Sequence, residues 1–128
     1  MSFALVGAAR MREMDRRTIL GEGIPGLRLM ERAGRGLLRS LSTRVPDLNR
    51  RRVAILCGKG NNAGDGLVLA RLLRARGLWP RVLLAAPLAE FEGDAAVNAS
   101  RALEVGLALE PAGARERTGG VPRAPRAR

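Results

Sequence analysis

Residues Gly58 to Gly66 read Gly-Lys-Gly-Asn-Asn-Ala-Gly-Asp-Gly and concentrate the chemistry that this chain can offer. Glycines let a backbone turn sharply and come close to a ligand without side-chain obstruction. Asn61 and Asn62 add amide donors and carbonyl acceptors, and asparagine tolerates left-handed backbone geometry. The apolar run Val53–Cys57 precedes this segment and an amphipathic stretch follows it. The order strand, glycine-rich loop, helix predicts an anion site, with the amides of Gly64–Leu67 and the helix dipole facing a phosphate-like group. Asp65 reads either as the cap of that helix or as a ligand contact. A plain tight turn would not need so many special residues in a row.

Two familiar nucleotide loops do not fit. A Walker loop requires Gly-Lys-Ser/Thr where Gly64-Asp65-Gly66 stands. A dinucleotide fingerprint requires Gly-x-Gly-x-x-Gly and an acid near the end of the next strand; here the third glycine is displaced and Leu84–Leu88 carries no acid.

Composition removes further classes. The chain has no histidine, which excludes imidazole catalysis, and a single cysteine, Cys57, which forms no internal disulfide and reads as a buried thiol. Metal sites built from His or Cys are excluded, and an oxygen-ligated cation remains open. The net charge of +11 invites nucleic acid. Yet the charge is nearly all arginine, is scattered along the chain, and lacks an aromatic stacking platform, so solvated arginines are the preferred reading. No apolar stretch approaches the roughly 20 residues of a membrane span, and Phe3–Ala9 is too short for a secretory leader. A cytoplasmic location is expected.

Around the loop, 128 residues allow one small domain with a core of Leu, Val, Ile and Ala, since aromatics are only 2%. Helical spacing predicts a helix at about Ala9–Leu20 and a second at about Gly26–Ser42, with Leu27, Met30, Ala33, Gly34, Leu37, Leu38 and Leu41 on its apolar side. Small residues at Gly34 and Gly36 predict close approach to another element. Val53–Cys57 and Val82–Ala86 read as adjacent parallel strands joined by a helix over Gly64–Arg76 that stops at Gly77. A third helix is expected over Gly93–Val105, with Asp94 in its first turn, and a further strand at Leu107–Glu110. The fold class is therefore α/β, with two N-terminal helices followed by a βαβ unit. Residues 1–111 form the domain. Residues 112–128, rich in Ala, Gly, Pro and Arg without an apolar face, are expected to be disordered.

The loop resembles that of the NAD(P)H-hydrate epimerase family (YjeF N-terminal, apolipoprotein A-I binding protein-like), whose motif reads Gly-x-Gly-Asn-Asn-Gly-Gly-Asp-Gly, with Ala63 replacing a glycine here. Met11-Arg12-Glu13-Met14-Asp15, Gly23-Ile24-Pro25 and Leu29-Met30-Glu31-Arg32-Ala33-Gly34 also match the family's opening helices, and the resemblance covers about Met11 to Glu110. It implies a Rossmann-like three-layer sandwich, of which this chain holds part. It implies interconversion of the R and S hydrates of NADH and NADPH, a metabolite repair that feeds an NAD(P)H-hydrate dehydratase. Hydrated NAD(P)H would then meet Asn61, Asn62, Ala63, Gly64 and Asp65, and Asn62 would also ligate a potassium ion. The family's Asp-rich later segment and its proposed catalytic aspartate are not found, so no catalytic residue is assigned. The chain is expected to be C-terminally truncated, with impaired or no activity, and its tail has the composition of a shifted frame or gene fragment. Two alternatives stay open: a non-catalytic nucleotide-binding or dimerisation module, assembling as a homodimer, and a basic nucleic-acid-associated protein.

Overall fold

The computed structural model describes residues 3–6, 26–58 and 60–113. Four strands form one sheet in the order β1 (Phe3–Val6), β2 (Arg52–Cys57), β3 (Arg81–Leu84), β4 (Leu109–Pro111), and every neighbouring pair is parallel. The registers Ala54↔Arg81 through Cys57↔Leu84 bring the two apolar runs side by side, as their composition predicts. Helices α1 (Gly26–Arg44), α2 (Asn61–Ala75) and α3 (Gly93–Glu104) fill the crossovers. Consecutive parallel order with crossovers of one hand puts all three helices on the same face of the sheet.

That face carries Val53, Ile55 and Cys57 from β2 and Val82 and Leu84 from β3, all buried in one core with Leu37, Leu41, Leu67, Leu69, Leu73 and Ala102 from the helices. The opposite face is open among the described residues. Leu56 is 43% exposed there, its register partner Leu83 is half-buried, and Arg81 Nε lies 3.2 Å from Glu110 Oε2. Two layers of the three-layer sandwich are thus present. No helix among the described residues is long and apolar enough to cross a membrane.

Several boundaries differ from expectation. Helix α2 starts at Asn61 rather than Gly64, and α1 runs on to Arg44. On α1, Leu29 is buried where Leu27 was expected, because the stripe facing the core includes Leu29, Met30, Ala33 and Leu37, leaving Leu27 half-buried. Strand β3 ends at Leu84, where Ala85 bends and its N–H donates to the Cys57 carbonyl at 2.9 Å. Strand β1 is not among the expected elements, since an apolar run of only four residues before Gly7 does not distinguish a strand from a helical segment. The helix expected at residues 9–20 lies outside the described residues, as does most of the expected tail. Ala112, the first residue of that tail, is described and donates its N–H to the Leu84 carbonyl at 2.8 Å.

Close approach at Gly34 is borne out. A methyl added there would overlap Val68 Cγ1, a β-branched group with little room to turn. Gly34→Ala is expected to lower stability by about 1–2 kcal/mol, overpacking outweighing the roughly 1 kcal/mol that alanine gains in a helix. Urea unfolding measures it; a stabilised variant would contradict the contact.

Candidate functional site

Gly58 follows the C-terminal end of β2 and Gly60 immediately precedes α2, the place where open parallel sheets present ligand crevices. Gly60 precedes the helix with φ 61° and ψ −136°, a backbone region that side-chain-bearing residues avoid. Among the described residues no atom beyond its chain neighbours lies within 4 Å of where its Cβ would stand, so glycine is needed here for backbone conformation. The Ala63 N–H already returns to the Gly60 carbonyl at 3.2 Å.

This placement corrects the expected anion site. The amides of Gly64–Leu67 lie inside the helix and are committed to its ladder, and the end of the dipole sits at Gly60–Asn62. The misplacement has a simple cause: Gly-Asn-Asn reads as loop by propensity, yet Asn61 and Asn62 form the first helical turn. Asp65 is not the cap. It lies in the second turn, is 0% exposed, and is engaged in a polar interaction.

The remaining motif residues divide by role. Ala63 is in the core, and Gly64 and Gly66 are close approaches. A Cβ at Gly64 would overlap Met30 Sδ of α1; one at Gly66 would stand 2.9 Å from Cys57 Sγ and 3.3 Å from Ile55 Cγ2 of β2. Half of the motif therefore seats the helix, and residues 60–62 form its beginning.

One supporting residue was not singled out from the sequence. Asn98 on α3 is 1% exposed; its Nδ2 donates to Met30 Sδ at 3.1 Å and to the Asp94 carbonyl at 3.0 Å, while its Oδ1 accepts no hydrogen bond. It ties α3 to α1 beneath the start of α2. The signal was available: Asn98 falls in the buried stripe Ala95, Ala99, Ala102, where a polar residue is conspicuous. Among the described residues no group of three or more His, Cys, Asp or Glu stands together.

Cys57, at the last position of β2 before the loop, is fully buried, and burial pushes its thiol up to about 12. It is no nucleophile in the folded chain. Since the folded value exceeds the unfolded 9.0, the associated stability is intact below pH 9 and is lost as pH rises towards 12. With no tyrosine in the chain, few other groups titrate in that window. Wild type is expected to lose stability there at up to about 1.4 kcal/mol per pH unit relative to Cys57→Ala. Parallel pH–stability curves for the two proteins would contradict the buried thiol.

Comparison with known proteins shows the family and the fold. The family model described as "YjeF-related protein N-terminus" matches residues 26–119. An NAD(P)H-hydrate epimerase of Rhodopirellula baltica is 39% identical over 113 residues, covering 88% of this chain and 45% of that protein. One from Pirellula staleyi is 49% identical over 89 residues, covering 70% and 38% respectively. A bifunctional NAD(P)H-hydrate repair enzyme Nnr of Salinibacter ruber is 45% identical over 93 residues, covering 73% of this chain and 17% of that protein. The crystal structure of yeast ynu0, YNL200c, shares the fold with a TM-score of 0.63 at 22% identity, over 87% of this chain and 48% of that one. The chain spans less than half the length of each of these relatives.

Proposed function

Because the chain belongs to the family of YjeF-related protein N-termini, we propose that it carries the dinucleotide-recognition half of an NAD(P)H-hydrate epimerase. The observation that supports this reading most is the start of α2. The family's asparagine pair forms its first turn, behind a glycine held at φ 61°, at the C-terminal end of β2. First-turn amides and the dipole favour a pyrophosphate or phosphate, and amide side chains suit a nicotinamide-ribose. In this reading Asn61 and Asn62 contact hydrated NAD(P)H, and Ala63, Gly64 and Asp65 hold the turn from within. Asn62 would offer an amide oxygen to potassium, a donor suited to a hard, weakly held cation. When bound, the ion would offset phosphate charge. Its expected signature is tighter NADPH binding in potassium than in sodium.

Catalysis is a separate matter. Epimerisation at a ring carbon needs a positioned acid or base. Asp65 is buried within the helix, and Asp94 stands in the first turn of α3, its carbonyl bonded to Asn98. The chain alone is expected to convert R to S hydrate little faster than the uncatalysed rate, since loss of such a group typically removes about 10²–10⁴-fold. The assay couples the conversion to an S-specific dehydratase, the activity expected to act next. A potassium-stimulated rate matching a full-length relative would contradict this and return Asp65 to the chemistry.

Recognition is tested by titrating hydrated NADPH into wild type and the Asn61→Ala, Asn62→Ala double variant. The variant is expected to keep its melting temperature and lose at least about tenfold in affinity, as removal of two polar contacts implies. Equal affinities would remove the proposal's main support.

A further inference from the structure

Beyond the loop, the helical face of the molecule gathers cations that look dispersed in the sequence. Arg28, Arg35 and Arg39 are seven and four residues apart on α1, a spacing that keeps them on one side of the helix. Facing them are Arg71 and Arg76, on and just past the end of α2, and Arg101 on α3. They line two grooves that share Arg35. One, of about 620 Å³, is walled by Leu27, Arg28, Glu31, Arg35, Arg71 and Arg101. The next, of about 510 Å³, includes Arg35, Arg39, Ser42, Thr43 and Arg76. The grooves follow the seam of α1 and α2 away from the loop end.

One carboxylate stands among these six arginines. Glu31 accepts a hydrogen bond from Arg71 Nη2 at Oε1, and its Oε2 lies 3.7 Å from Arg35 Nε. It therefore holds two guanidinium groups across the seam without neutralising the surface. Arg76 Nη1 donates to Ser42 Oγ at 3.3 Å. No carboxylate among the described residues pairs with Arg28, Arg39 or Arg101.

We propose that this double groove binds the phosphate backbone of a nucleic-acid duplex, independently of sequence. Arg28 to Arg39 span about 16 Å along α1, the axial length of about five phosphates on one strand of a duplex. Guanidinium forks match phosphate oxygens, and positioning contacts of this kind carry no base readout. The lining holds no aromatic ring on which an unpaired base could stack, which favours a duplex over a single strand. Trp79 is taken by Arg74, whose guanidinium carbon lies 3.7 Å from the ring centroid. The groove is distinct from the dinucleotide loop, and its occupation does not rest on the epimerase reading.

The test uses the whole chain and two fluorescein-labelled 16-base-pair DNA duplexes of unrelated sequence, followed by anisotropy between 50 and 200 mM salt. Wild type is expected to bind both alike and to lose affinity about a hundredfold across that range, the salt dependence of about four phosphate contacts. The Arg28→Gln, Arg35→Gln, Arg39→Gln variant should bind at least about tenfold more weakly, with a log–log salt slope flatter by about two or more. Arg32→Gln, Arg50→Gln, Arg52→Gln removes the same charge from exposed positions outside both grooves and should bind within about twofold of wild type. Circular dichroism checks that both variants are folded. Equal weakening by the two triple variants would reduce the effect to net charge and overturn the groove. So would absent binding, or marked preference for one duplex.

Discussion

Helix α2 can sit in the middle of the molecule only because glycines remove the side chains that would hold it off. Gly34 admits Val68, Gly64 admits Met30, and Gly66 admits the end of β2 at Cys57. With those three contacts made, residues 63–70 are buried without interruption, and α2 packs against α1 on one side and α3 on the other. The close fit leaves little freedom, since interiors at crystal-like density tolerate even one added methylene poorly. The position of the loop follows from it. A helix pinned at Gly64 and Gly66 must begin just outside the sheet edge, and Gly60 supplies the one backbone conformation that makes the turn.

The polar groups beneath that turn are few and deep. Asp65 and Asn98 are the buried polar residues among those described, and both lie near the contact of the helices at the loop end. Burying such groups costs free energy unless they are partnered, so their presence in so small a core narrows the arrangements the helices can adopt. Asn98 meets this demand at its amide nitrogen, shared between Met30 Sδ and the Asp94 carbonyl, while its Oδ1 accepts no hydrogen bond. The outer surface works differently: charge dominates there, and Glu31 orients arginines instead of cancelling them.

Much of this order was legible in the sequence, for identifiable reasons. Continuous Val/Ile/Leu runs marked β2 and β3 as a parallel pair, and the stripe through Met30, Ala33, Leu37 and Leu41 marked α1. Gly34 announced its own close contact. The start of α2 was misjudged because residue preference and tertiary context disagree at Asn61 and Asn62, and context prevails once Gly64 and Gly66 are seated. The arginine groove was invisible because its members come from three helices and are brought together only by packing. Loop residues stood out by type, whereas Asn98 shows in the sequence only as the polar member of the stripe Ala95, Ala99, Ala102.

The central claim is that the dinucleotide meets the first turn of α2. Amide chemical-shift mapping of the ¹⁵N-labelled chain during titration with hydrated NADPH addresses it most directly. The account predicts the largest shifts at the N–H groups of Gly60, Asn61, Asn62 and Ala63, with the outer ends of α1 and α2 unmoved. Shifts centred on Arg28, Arg35 and Arg71, or none at residues 60–63, would contradict it.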